Sequence, residues 1–157
     1  MSKENNIVIY NDEKFFVDDN VLVISGKSVK DIFEIRGLNN LTNLKVLDLS
    51  INCIREIKGL DMLERLEKLY LNDNKINKIE GLDNLKNLKV LRLGHNFIKK
   101  VEGLSNLKNL EVLELESNKI SQDLINRLGG SIPYPSSDNT FEFFAVKYPH
   151  KFVDYCK

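Results

Sequence analysis

The chain has 157 residues, 42% of them hydrophobic and 29% charged, enough apolar mass to bury a core within a single domain spanning 1–157. Lys+Arg and Asp+Glu balance at 23 each, so no net field gathers nucleic acid or anionic lipid over the whole surface, and neither kind of partner is expected. The opening MSKENNIVIYNDEK carries only a four-residue apolar run, too short for a signal-peptide core or a membrane span. Cys53 and Cys156 lie far apart with no CxxC spacing, which fits unbridged thiols in a reducing, cytoplasmic setting.

In chain order, residues 1–20 read as an N-terminal cap. The runs IVIY and KFFV flank Asn11-Asp12-Glu13, the signature of a β-hairpin that could cover an open sheet edge. Residues 21–36 then carry Leu22, Ile24, Val29 and Ile32 at strand and turn spacing, with Lys27 where each later segment has an asparagine. Between Ile32 and Leu38 this segment holds three more residues than its successors.

From 37 to 124 four segments of 22 residues follow without insertion or deletion, beginning at Gly37, Gly59, Gly81 and Gly103. Leu44, Leu47 and Leu49 recur in each, and alternation through Leu47-Asp48-Leu49 has the period of a strand with one face inward. No single segment can bury its own leucines, so the segments must stack and turn their strands into a parallel sheet. Asn52, Asn74, Asn96 and Asn118 follow the strands where the chain leaves the sheet; a buried amide there can bond backbone groups that the turn leaves unpaired. The returns through Ile54, Ile57 and their equivalents are too short for long helices, which predicts turns and 3₁₀ pieces.

The period and its L-x-x-L-x-L-x-x-N core mark a leucine-rich repeat solenoid. They resemble the short 22-residue subclass of intracellular leucine-rich repeat proteins, which includes the protein phosphatase 1 regulatory subunit and axonemal dynein light chain. The resemblance implies an α/β solenoid: a curved right-handed stack with a concave parallel sheet, a 3₁₀ and turn convex side, and capped ends. After Ile120 the repeat fails. Ser121 is placed to cap a short helix carrying Leu124, Ile125 and Leu128, GGSIPYPSSDN reads as a loop, and Asn139 to Tyr148 as a second helix, so 125–157 is expected to be a helical C-terminal cap.

Side chains between the inward leucines should line the concave face in columns: Val21, Val46, Lys68, Val90, Val112, then Val23, Asp48, Tyr70, Arg92, Glu114, then Ser25, Ser50, Asn72, Gly94, Glu116. The repeat itself demands none of these identities. Aromatic and arginine side chains dominate binding hot spots, so the candidate partner-binding set is Asp48, Tyr70, Asn72, Arg92, His95, Phe97, Glu114 and Glu116, centred on Tyr70, Arg92, His95 and Phe97. Lys58, Lys78, Lys100, Glu80 and Glu102 read as a solubilising convex face.

No nucleophile elbow, phosphate loop, zinc helix or calcium loop occurs, and the two histidines, His95 and His150, fall on different parts of the stack. No catalytic residue, cofactor or metal is therefore expected. The sequence points to a monomeric, non-catalytic module that presents its concave sheet to a protein. A regulatory subunit of an enzyme such as a phosphatase, or a self-associating structural protein, are the alternatives.

Overall fold

The computed structural model describes residues 6–121 together with 123 and 124. The expected second helix, the loop before it, His150 and Cys156 lie outside these residues. Among the described residues no helix is long and apolar enough to cross a membrane.

Five strands form one parallel sheet in chain order: β3 (Val21–Val23), β4 (Val46–Asp48), β5 (Lys68–Tyr70), β6 (Val90–Arg92) and β7 (Val112–Glu114). The register pairs Leu22 with Leu47, Leu47 with Leu69, Leu69 with Leu91 and Leu91 with Leu113, so one leucine per layer builds a ladder. All five are fully buried, as is the parallel ladder through Ile24, Leu49, Leu71 and Leu93. On the opposite side the chain returns in tight turns. Leu63 N–H donates to Leu60 O and Leu66 N–H to Leu63 O, each at 2.9 Å, and the pair recurs one layer on at Leu85 and Leu88. These are three-residue closures, which shorten the return enough for 22 residues to close a layer.

The glycine that opens each regular layer is required where layers touch. Gly81 has φ +67°, and a Cβ there would run into the backbone carbonyl of Ile57, just before the preceding layer's own opening glycine, Gly59; Gly103 repeats this against Ile79.

The asparagine ladder works backwards along the chain. Asn74 Oδ1 accepts from Ile54 N–H at 2.9 Å, and its Nδ2 donates to Leu49 O at 3.0 Å, so both bonds reach the preceding layer. Asn96 serves Ile76 and Leu71 in the same way, and Asn118 serves Ile98 and Leu93. This direction explains Lys27. The layer at 21–36 has no repeat before it, so an asparagine there would find no such backbone. Lys27 turns to the hairpin instead, pairing with Glu13 at 2.8 Å and lying 5.3 Å from the Phe15 ring centroid. The three extra residues of this layer become a turn of 3₁₀ helix at Ile32–Glu34, started by Asp31, whose side chain accepts from Phe33 N–H.

The hairpin comprises β1 (Ile7–Tyr10) and β2 (Glu13–Phe16), antiparallel and joined by Asn11 and Asp12, both with positive φ as a two-residue hairpin turn demands. Glu13 already pairs with Tyr10, so the turn is one residue shorter than the sequence suggested. The hairpin does not extend the sheet edge. It forms its own two-stranded sheet, bonds Arg36 through Ile9 at 2.9 and 3.0 Å, and buries Val8, Tyr10 and Phe15 over the apolar end of the stack. Water can satisfy the backbone groups of an edge strand but not a leucine cross-section, so the lid belongs on the cross-section. At the other end Ser121 Oγ accepts from Leu124 N–H at 3.3 Å, a helix N-cap.

Candidate partner-binding face

Strand alternation sends the residue after each ladder leucine to the open face of the sheet. The register aligns Val23, Asp48, Tyr70, Arg92 and Glu114 across five layers, and Val21, Val46, Lys68, Val90 and Val112 beside them. Three members of the first column are joined. The Arg92 guanidinium lies 5.2 Å from the Tyr70 ring centroid in the layer before, and its Nε sits 3.2 Å from Glu114 Oε2 in the layer after. Tyrosine face, guanidinium and carboxylate thus form one unit held open to solvent, with Arg92 45% and Glu114 22% exposed.

Glu116 and His95 adjoin this unit. Gly94 has an ordinary backbone angle and matters for space: its missing side chain is where the Glu116 carboxylate rests. That burial raises the Glu116 carboxyl above its ordinary value, Glu114 raises it further, and the Glu116 backbone, His95 and Arg92 oppose the shift. His95 N–H donates to Glu116 O at 2.9 Å.

Two members of the expected set carry structural duties as well. Asp48 Oδ1 accepts from Ser50 N–H at 2.9 Å, and Asn72 Oδ1 accepts from Gly94 N–H at 3.0 Å in the next layer. At these two positions a short polar side chain reaches a strand-end amide, although the equivalent positions of other layers hold residues as different as Tyr70, Arg92 and Gly94. Phe97 stands apart from the others. It follows Asn96 in the turn, is 43% exposed, and has Lys119 Nζ 4.7 Å from its ring centroid, on the flank where the chain leaves the sheet.

Exposed apolar side chains at the other end of the face escaped the expected set. Val23 is 52% and Ile51 62% exposed. Ile51 also has φ +56°, a position shared by Gly26, Asp73, His95 and Ser117, all left-handed. Glycine, aspartate and histidine tolerate that region, whereas a β-branched residue is strained in it. A β-branched residue in a column of turn formers was the sequence signal.

A model of leucine-rich repeats in two copies matches residues 42–87, 64–106 and 86–127, more than half of the chain in total. The chain belongs to the leucine-rich repeat family. A chain of the Drosophila melanogaster SNF/U2A′ complex aligns over 99% of this chain and 89% of its own length, with 24% identity and a TM-score of 0.64, a likeness of fold. An internalin of Listeria monocytogenes shares 29% identity over 66% of this chain with a TM-score of 0.52, and the match spans 36% of that protein. No curated protein matches.

Proposed function

We propose that this leucine-rich repeat chain is a non-catalytic protein-interaction module whose concave sheet holds a protein partner. The observation that carries the reading is the Tyr70, Arg92 and Glu114 unit, in which side chains the solenoid does not need are held in fixed register and left open. Arginine and tyrosine lose little freedom on binding when already oriented, which favours affinity. The exposed Val23 and Ile51 supply apolar area two and three layers away, so the partner would bring a polar, cation-tolerant segment to one end and an apolar one to the other. Cys53 is a free thiol, in keeping with action inside the cell.

The test is partner capture by the full chain and by a Tyr70→Ala, Arg92→Glu variant, with urea unfolding confirming that both are folded. Loss of one or more specific partners from the variant supports the concave face. Identical capture by both proteins removes it.

A further inference from the structure

We propose that the flank of the solenoid, where each layer leaves the sheet after its asparagine, is a second binding surface that takes an acidic polypeptide segment. Two columns run along this flank, at the residue following each asparagine and two residues beyond it. Across five layers they contain Lys30, Arg55, Lys75, Lys99 and Lys119 and no acid at all, in a chain whose charges balance at 23 each. All five cations are exposed, and among the described residues none forms an ion pair.

The neighbouring columns behave differently. Asp31 and Glu56, the acids closest to the strip, both pair with Lys58 at 3.2 Å, and Glu80 pairs with Lys78 at 2.9 Å. Unpaired cations such as Lys68, Lys86 and Lys108 occur elsewhere among the described residues, so what sets the strip apart is that its two columns hold five cations and no acid over five successive layers. Lys30 and Arg55 occupy the same place in adjacent layers, which lie about 4.8 Å apart at the sheet. Stacked like charges repel, and an anion lying across them relieves the repulsion. Here the surface is also concave: a cleft of about 500 Å³ is lined by Lys30, Arg55, Lys75 and Lys58 together with Cys53 and the two acids that Lys58 engages, Asp31 and Glu56, so four cations face two carboxylates.

The chemistry of the strip selects among anions. Single-stranded nucleic acid binds through a basic track with aromatic faces for successive bases. The strip offers one aromatic, Phe97, and Lys119 already covers its ring. An anionic membrane rewards apolar side chains that enter it alongside the cations; within the two columns Phe97 is the one exposed aromatic, and Phe33 beside the cleft has Lys58 Nζ 5.8 Å from its ring centroid. Carboxylates on an extended peptide need only cations repeated at layer spacing, which the strip supplies. This surface is independent of the concave face, so either can fail without the other.

Anisotropy of a fluorescent octaglutamate peptide with the full chain tests the assignment. The wild type should bind with an affinity that falls as salt rises, and Arg55→Glu, Lys75→Glu, Lys99→Glu should weaken binding by about tenfold or more. A control carrying Lys14→Glu, Lys86→Glu and Lys108→Glu makes the same change in net charge away from the strip and should bind as the wild type does. Glutamine at the three strip positions replaces glutamate if the first variant does not fold. The assignment is overturned by absent peptide binding, by equal loss in strip and control variants, or by tighter binding of oligothymidylate or of phosphatidylserine vesicles than of the peptide.

Discussion

The asparagine ladder and the concave column both run the length of the stack with one residue per layer, a few residues apart in each repeat. In the ladder every side chain is asparagine from layer 37–58 onward; in the column they are Asp48, Tyr70, Arg92 and Glu114. The ladder side chains bond backbone atoms of the preceding layer, and backbone atoms are the same whatever the sequence. In the column Tyr70, Arg92 and Glu114 contact one another's side chains and Asp48 bonds only Ser50 N–H of its own layer, so one layer's choice constrains at most its neighbours. Identity repeats where every layer needs the same buried main-chain partners satisfied, and drifts where the partner is a side chain, solvent or an amide that only one layer engages. That difference separates scaffold from recognition surface.

The strongest way to break the comparison is at Asn74. Replacement by alanine strands the buried Ile54 N–H, while the carbonyls of Leu49 and Leu71 keep the amides of Asn52 and Asn96, and should cost about 2 kcal/mol. Urea unfolding of Asn74→Ala checks it. Arg92→Ala, by contrast, should leave the unfolding midpoint where it is. Equal losses at the two positions would mean that the column is part of the scaffold.

The same distinction explains what the sequence could reveal. Leu22, Leu47, Leu69, Leu91 and Leu113 repeat because each meets the same surroundings, so the sheet, its register and the buried ladders were readable from the period. The columns were readable too, since alternation fixes which residues share a face. Which of those residues touch was not. Alternation offered Arg92 two carboxylates on its column, Asp48 and Glu114, and the rotamers that choose Glu114 are encoded in no period, while the duties of Asp48 and Asn72 depend on amides at strand ends. Phe97 was grouped with Arg92 by closeness in sequence, although the turn after Asn96 carries it to the flank. The hairpin was legible as a hairpin, but its docking was not, because Ile9 meets Arg36 through backbone atoms that carry no sequence signal.

A smaller effect is expected at Ile51, where scaffold and surface conflict. Its left-handed φ of +56° suits the turn and not a β-branched side chain, while its exposure means that little burial would be lost on replacement. Ile51→Asn should therefore stabilise the fold, by about 1 kcal/mol, in chemical denaturation. If Ile51 belongs to the recognition surface, the same variant should capture its partner less well. A variant that gains stability without losing capture would assign Ile51 to neither role.

The smallest effect concerns Glu116, and it tests whether a recognition residue can be tuned by an absent side chain. Resting beside Gly94, its carboxyl titrates above the ordinary 4.5, with burial the leading cause. Above that value and below the raised one, the folded chain holds a proton that the unfolded chain has released. The stabilising contribution is thus fully present below the unfolded pKa and is lost as pH rises through the folded one. Wild type should gain stability relative to Glu116→Gln as pH falls through this window, modestly because the carboxyl is only partly buried. Because His95, Arg92 and Glu114 also face Glu116, the direct measurement is a carbon-13 NMR titration of its side-chain carboxyl. In Gly94→Ala the added methyl displaces the carboxylate towards water, and the titration should move back down; an unmoved midpoint would show that Glu114, not burial, sets it. The displaced side chain is flexible, so this substitution should spare the fold while lowering the pH at which the concave face gains this charge.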